Sequence, residues 1–117
     1  MFKYLIAFFF LAASVQAQQA TSANGAVLRA LDKTSGQTLD IEISTGASKR
    51  LGQLQIVVND CRYPAGNPSG DAYAALEISE TGRAGTLFSG WMIASAPALS
   101  AMEHPRYDVW VIRCTTS

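Results

Sequence analysis

The side chains of this sequence that could carry acid–base, nucleophilic or metal chemistry are few and scattered. His104 is the only histidine, so a site built on two or three histidines cannot form within one chain. His104 and Asp108 could supply two members of a hydrolytic triad. Neither candidate nucleophile, Ser89 nor Ser95, lies in the Gly-x-Ser-x-Gly turn that exposes such a serine. We therefore predict no catalytic residue, no metal and no cofactor, and expect His104 to pack or hydrogen-bond where a strand begins.

Carboxylates offer the other enzymatic possibility. Asp71, Glu77 and Glu80 lie in or beside one predicted strand. A glycosidase needs two carboxyl groups about 5–9 Å apart across a cleft, and a small β-domain rarely offers such a cleft. The pattern favours a solvated strand face, and a small hydrolase is the weakest of the functional hypotheses.

Aromatic and polar residues form the candidate binding set. Flat rings can stack on sugars or peptides, while neighbouring polar side chains orient the ligand. Trp91 is the ring most open to a ligand, because it follows Gly90, which lets another chain approach closely. The competing interpretation, which the pattern favours, is that Asp71 and Arg106 only fix an irregular loop to a strand entrance. The candidate binding residues are Tyr63, Asn67, Asp71, Trp91, His104, Arg106 and Tyr107.

The two cysteines, Cys61 and Cys114, are 53 residues apart and lack the close spacing of a redox motif. In an exported chain they are expected to form a disulfide. Cys61 is out of phase with the apolar positions of its predicted strand. Either the disulfide lies on the other face, or a bulge near residues 59–60 turns the thiol inward. Trp110 shares its strand face with Cys114, which predicts that its ring packs against the disulfide.

The first 17 residues indicate export. Lys3 precedes an apolar run over residues 4–13, and the small residues Val15 and Ala17 stand where a signal peptidase cleaves. The run is too short for a helix that spans a bilayer, which needs ~20 residues. Residues 1–17 are therefore predicted to be a signal peptide, and the mature chain to have no transmembrane span. Loss of Lys3 leaves eight basic against nine acidic residues, unlike the basic footprint of a nucleic-acid-binding protein.

The rest of the chain predicts one all-β domain. Residues 18–25 are small and polar and are expected to form a flexible leader, and residues 26–117 form the domain. Apolar residues there recur with a period of two, and Gly or Pro residues separate the segments. Leu39, Ile41 and Ile43 give the clearest alternation, with one buried and one wet face. The predicted strands are 26–32, 38–43, 51–59, 72–79, 86–94 and 106–114.

These elements predict a small antiparallel β-sandwich or partly open barrel of six to seven strands, with the sandwich preferred. Residues 62–71 contain two prolines and two glycines and are expected to be irregular. A short helical turn is expected near 97–103, between Pro97 and Pro105. The centre of the last strand is apolar on both faces, which predicts a central, covered strand.

Specific motifs run through nearly all of this domain. They are Ala-Val-Leu-Arg-Ala-Leu-Asp-Lys at 26–33, Cys-Arg-Tyr-Pro at 61–64, Asn-Pro-x-Gly-Asp-Ala-Tyr-Ala at 67–74, Phe-Ser-Gly-Trp-Met at 88–92, and His-Pro-Arg-Tyr-Asp-Val-Trp-Val at 104–111 with Cys114. In these motifs the chain resembles an exported bacterial family known as domain of unknown function 2155. The resemblance implies a Gram-negative source and a periplasmic location, and it brings no established activity.

Two functional hypotheses follow from these patterns. The first is a periplasmic β-domain that binds an envelope protein without chemistry of its own, since an edge strand can accept a strand from a partner. The alternative is a glycan-binding module that uses exposed aromatic rings. The exposure of Trp91 and Tyr107 separates the two, because a buried ring cannot stack on a sugar.

Overall fold

The computed structural model describes residues 19–116, and the strands of this part of the chain form two antiparallel sheets. The predicted signal peptide, residues 1–17, lies outside the described residues. Within them, no helix is long and apolar enough to cross a membrane. The expected all-β fold is confirmed, and one short 3-10 helix forms at Pro97–Leu99, inside the region where a helical turn was expected. The strands are β1 (Ala20–Ser22), β2 (Gly25–Asp32), β3 (Thr38–Ser44), β4 (Ser48–Leu51), β5 (Leu54–Pro64), β6 (Tyr73–Glu80), β7 (Thr86–Ile93) and β8 (Tyr107–Thr115).

A large sheet and a small sheet face each other across the core. In the large sheet, β6 lies between β5 and β7, and the other edge of β5 pairs with β4 near its start and with β1 at its end. The small sheet has the order β3-β2-β8. Each fully buried aliphatic side chain contributes about 1.5–3 kcal/mol by leaving water. The largest are Leu28, Ile43 and Val111 from the small sheet, and Leu54, Ile56, Val58, Leu76, Ile78 and Met92 from the large one.

Part of the predicted leader belongs to a sheet. Ala20–Ser22 form β1 and pair with Arg62–Pro64 at the end of β5, and the Ala65 amide donates to the Gln19 carbonyl. The three residues of β1 are all exposed and carry no apolar alternation. Their pairing therefore depends on the backbone groups that β5 leaves free beyond β4.

The predicted third strand is divided by a tight turn. Residues 48–51 form β4, although only Leu51 of these four was expected to lie in a strand, and a two-residue turn at Gly52 and Gln53 leads into β5. Gly52 has φ of +57°, a conformation that favours glycine. A Cβ atom at this position would also lie 2.5 Å from the Tyr107 hydroxyl oxygen. Gly52 thus permits both the turn and the close packing of Tyr107 against it.

The last strand is an edge strand, so the prediction that β8 is central and covered is wrong. In the described chain β8 pairs with β2 alone. Its apolar positions are covered in part by the connection between β7 and β8. Met102 of that connection is buried and borders the same recess as Val109 and Trp110. The apolar residues on both faces of β8 therefore reflect packing by this connection. The pattern of a strand does not distinguish such a covering segment from a second neighbouring strand.

Two β-bulges place the disulfide inside the sandwich. Asn59 is the extra residue in β5, where the pairing steps from Val58 to Asp60. Ile112 is the extra residue in β8, where the partners of β2 step from Val111 to Arg113. Each bulge reverses the alternation of side chains, so Cys61 and Cys114 both turn inward, with their Cα atoms 5.8 Å apart in the disulfide.

These bulges decide between the expectations for the cysteines. A bulge near residues 59–60, one of the two possibilities for Cys61, is confirmed. The expectation that Trp110 packs on the disulfide is wrong, because Trp110 precedes the Ile112 bulge. Its side chain therefore lies on the outward face of the small sheet, opposite the face of Cys114.

We expect the Cys61→Ser substitution to lower the free energy of unfolding by about 4 kcal/mol, because the disulfide restricts a long loop in the unfolded chain. Urea unfolding followed by circular dichroism measures this loss. The double variant Cys61→Ser/Cys114→Ser should lose about as much as either single variant, since each removes the same cross-link. An unfolding midpoint equal to that of the unmodified protein would contradict the disulfide.

Candidate functional site

The predicted binding residues fall into three separate places. Tyr63 lies near the disulfide, on the last part of β5, whereas Tyr107 begins β8 at the opposite end of the sandwich. Because Cys114 follows Tyr107 by seven residues in β8, the two ends are roughly 23 Å apart at about 3.3 Å per residue. Trp91 lies on the outward face of the large sheet, in register with Ala75. The structure therefore does not gather the three rings into one patch.

At the disulfide end, the polar residues hold the irregular loop. Asp71 accepts hydrogen bonds from the Ser95 amide (3.0 Å) and the Ser95 hydroxyl (2.6 Å). Asn67 accepts a hydrogen bond from the Ser69 hydroxyl within the loop, and Tyr63 packs half-buried against the core. Asp71 thus ties the start of β6 to the residues that follow β7, at the opposite end of the sandwich from Arg106.

His104 is buried and bonded at both ring nitrogens. Its Nδ1 atom accepts from the backbone amides of Arg106 (3.0 Å) and Tyr107 (3.1 Å). Nε2 therefore carries the proton and donates to the Glu80 carboxylate at 3.1 Å. This geometry fixes the chain where β8 begins, which is the position expected for His104.

A groove opens between the two sheets at the end that contains Tyr107. It has a volume of about 610 Å³, with Leu39 and Leu51 on opposite walls and Ala30 and Tyr107 among its remaining lining residues. Tyr107 itself is only 7% exposed, and the Arg106 guanidinium carbon lies 5.0 Å from its ring centroid. The Tyr107 ring can therefore line the groove but cannot present an open face for stacking.

The groove exists because the edges of the two sheets diverge along β3. At the disulfide end the corner between β3 and β4 is tied down, with the Gly46 amide donating to the Val58 carbonyl at 2.7 Å. Ile43, next to this corner, is fully buried, Ile41 is half-buried, and Leu39 is 54% exposed. The predicted inward face of this strand is correct, but the core extends under only half of it.

The charged groups at this end form local pairs. Arg106 donates to Asp32 with an Nη2–Oδ2 distance of 3.2 Å, and this hydrogen bond lowers the pKa of Asp32 below its ordinary value. On the outward face of the small sheet, Arg29 donates to Asp40 at 2.8 Å, which lowers the pKa of Asp40 in the same way. Both carboxylates are therefore held in the charged form.

A second surface surrounds Trp91, which is 43% exposed. The Arg62 guanidinium carbon lies 5.4 Å from the Trp91 ring centroid, a distance that allows a cation–π interaction. Asp60 orients this arginine by accepting a hydrogen bond from Arg62 Nε at 2.8 Å. Ala75 is in register with both Asp60 and Trp91, and its small side chain leaves room for the two to approach. The result is an indole held in place on an open sheet face.

The candidate catalytic groups are not brought together. Glu77 is exposed on the outward face of the large sheet, Asp71 is bonded to Ser95, and His104 is buried beside Glu80. Asp108 pairs with Lys33 at 3.3 Å and not with His104. Among residues 19–116, no cluster of three or more His, Cys, Asp and Glu side chains could hold a metal ion.

Several residues of these surfaces were missed in the sequence. Leu51 and Gly52 could have been found, because a glycine in a two-residue connection between apolar residues signals a hairpin. Arg62 beside Trp91 had no such signal, since the two residues lie on different strands and meet only through the pairing with β6. The exposure of Leu39 likewise depends on the distance between the sheets, which a period-two pattern does not report.

The sequence matches a family of known proteins. Residues 26–114 match the family described as "Uncharacterized protein conserved in bacteria (DUF2155)". The chain is also similar to "Uncharacterized protein RP359" of Rickettsia prowazekii (strain Madrid E), with 30% identity over 94 residues. That alignment covers 78% of this chain and 60% of the relative, so the chain spans less than two thirds of the relative's length. No solved structure matches.

We expect the Arg106→Gln substitution to return the pKa of Asp32 toward its ordinary value of 3.8, because the charged hydrogen-bond donor is lost. The ion pair stabilises the fold above the unfolded-state pKa of the carboxyl, and this contribution is lost as pH falls through the lowered folded-state pKa. NMR titration of the side-chain carboxyl carbons measures the folded-state pKa, and urea unfolding at several pH values measures the stability. Asp40, whose partner is Arg29, is the internal control. An Asp32 pKa that is the same in the Arg106→Gln variant and in the unmodified protein would contradict the role of Arg106.

Proposed function

This chain belongs to the DUF2155 family of uncharacterized bacterial proteins. Because membership in this family indicates no activity, we propose the function from the geometry of the chain itself. It is an exported, non-enzymatic binding protein of the cell envelope, and its partner is another envelope protein. The partner binds at the groove between β3 and β4. The observation that carries this proposal is the divergence of the two sheets, which leaves Leu39 of the edge strand β3 exposed.

The edge of β3 is suited to accept a partner strand. In the described chain β3 pairs with β2 alone, and all seven of its residues follow one continuous register. Proteins commonly protect such edges with a bulge or a proline, and β3 has neither. An added strand would gain backbone hydrogen bonds from β3 and apolar contacts from the groove, the two components of β-strand addition.

Export is supported by two features. The first is the order of residues 1–17, a positive residue followed by a short apolar run and small residues at the cleavage positions. The second is the disulfide between Cys61 and Cys114, since disulfides persist in oxidising compartments such as the periplasm. Together they favour a mature protein that acts in the periplasm.

We expect a photo-crosslinking amino acid at position 39 to capture one discrete envelope protein in living bacteria, because the exposed Leu39 side chain borders the groove. The matched control is position 99, where Leu99 is 76% exposed and lies outside the groove. Electrophoresis and mass spectrometry identify the adduct. Equal adduct patterns from the two positions, or none from position 39, would count against the groove as the binding site.

A glycan-binding module is the second candidate, and the exposure of Trp91 favours it. Arg62 and Asp60 hold the indole on an open sheet face, where it could stack on a sugar ring. Tyr107 does not contribute, because its ring is buried beneath Arg106 and Gly52. Tyr63 packs half-buried against the core, so this candidate depends on Trp91.

We expect soluble peptidoglycan fragments to change the tryptophan fluorescence of the purified protein if Trp91 stacks on sugar. The change should be lost in Trp91→Ala and retained in Trp110→Phe, which removes the other tryptophan. Loss of the stacking contact should weaken binding about tenfold or more, as for other aromatic hot spots. A fluorescence signal that is insensitive to the fragments would refute this second candidate.

A further inference from the structure

We propose that the segment bound in the groove is acidic. It is an extended strand that pairs with β3, places one apolar side chain between Leu39 and Leu51, and places a carboxylate two residues away against Lys49. This inference rests on the proposed function and adds the chemistry of the partner. It follows from the widths of the two sheets and from the charges on their edges.

The difference in sheet width gives the added strand its place. At the groove end the large sheet has four strands, β4 to β7, whereas the small sheet has three, with β3 at its edge. β3 packs over β4 and β5, so the small sheet ends above this side of the large one. A strand added to β3 would lie about 4.8 Å further out. Its inward side chains would then cover the inward face of β4.

The inward face of β4 carries one apolar and one basic residue. Leu51 is in register with Leu54, and Lys49 with Ile56. Leu54 and Ile56 are core residues, so Leu51 and Lys49 both point toward the small sheet. Side chains that share a strand face are two residues apart. The matching partner therefore alternates, with an apolar residue opposite Leu51 and a complementary one, two positions away, opposite Lys49.

The charges of this edge select a carboxylate for that second position. Lys49 and its neighbour Arg50 are exposed, and neither forms an ion pair with any of residues 19–116. By contrast, Arg106 at the groove is already paired with Asp32. The inward face of β4 therefore presents the Lys49 charge beside the apolar Leu51, with Arg50 on the outward face of the same edge, and an inward carboxylate of the partner would neutralise Lys49.

The outward face of β3 restricts where those carboxylates can lie. Asp40 and Glu42 are in register with Arg29 and Val27 on that face. An outward carboxylate of the partner would lie beside these acidic residues, and like charges on neighbouring strands are destabilising. The acidic residues of the partner must therefore face inward, in the same phase as its apolar anchor.

The test uses a fluorescein-labelled peptide, Ser-Thr-Glu-Thr-Leu-Thr-Glu-Thr-Ser, which reads the same in both directions and so fits either strand orientation. Two control peptides replace both Glu by Lys, or Leu by Ser. Fluorescence anisotropy with the purified protein should show binding of the acidic peptide, and at least tenfold weaker binding of each control. Binding of the acidic peptide should also weaken at 1 M salt, because the charges are exposed. Equal affinity for the acidic and basic peptides overturns the inference.

Variants of the protein locate the contact. Lys49→Glu should weaken binding of the acidic peptide about tenfold or more, whereas Arg113→Glu, the same charge change at an exposed position on β8, should change it less than about twofold. Leu39→Asp should also weaken binding, and Leu99→Asp is its control. Equal effects of the β4 and β8 charge reversals overturn the inference.

The outcomes separate this inference from the proposed function. Peptide binding that is lost in Leu39→Asp but insensitive to salt and to the β4 charges would leave the groove as a binding site and overturn its acidic partner. Failure of the acidic peptide to bind also overturns the inference. In either case, crosslinking from position 39 decides independently whether a protein partner binds at the groove.

Discussion

The disulfide between Cys61 and Cys114 joins the end of β5 in one sheet to the end of β8 in the other, and it depends on an extra residue in each strand. Without the bulges at Asn59 and Ile112, the alternation along both strands would turn the cysteines to the outward faces, where no bond could form across the core. The bulges therefore do more than bend the strands, because they set which side chains the sandwich encloses. The same disulfide also fixes the spacing of the two sheets at this end.

The two ends of the sandwich are consequently held by different forces. Near the disulfide, the corner between β3 and β4 and the hydrogen bonds of Asp71 add to the covalent bond, and the core there is closed. At the other end, the contacts include the bonds of His104, those of Lys33 to the His104 carbonyl and to Asp108, the packing of Tyr107 under Gly52, and the pair of Asp32 with Arg106. None of these spans the gap between β3 and β4, so the sheet edges diverge and the groove forms.

His104 illustrates how a residue type common in catalytic sites can be engaged in structural hydrogen bonds. Two backbone amides and the Glu80 carboxylate engage both ring nitrogens, so the buried imidazole is satisfied and adds order at the start of β8. The two candidate binding surfaces, with their exposed apolar side chains, do not include His104. They are the groove with its basic edge and the indole of Trp91 under Arg62, and they lie on different parts of the sandwich. A chain of this size can thus carry two separate candidate binding surfaces.

The sequence by itself determined what depends on local periodicity and on residue type. The alternation of Leu39, Ile41 and Ile43 predicted the inward face of a strand, the punctuation by Gly and Pro predicted an all-β domain, and the motifs around Trp91 and His104 predicted the family. Tertiary structure alone decided that β8 lies at an edge, that β1 pairs with β5, and that Arg62 reaches Trp91. It also decided that the groove opens beside Leu39. The physical reason is that strand pairing, register and sheet spacing arise from contacts between residues distant in sequence, whereas a period of two reports only which neighbours share a face.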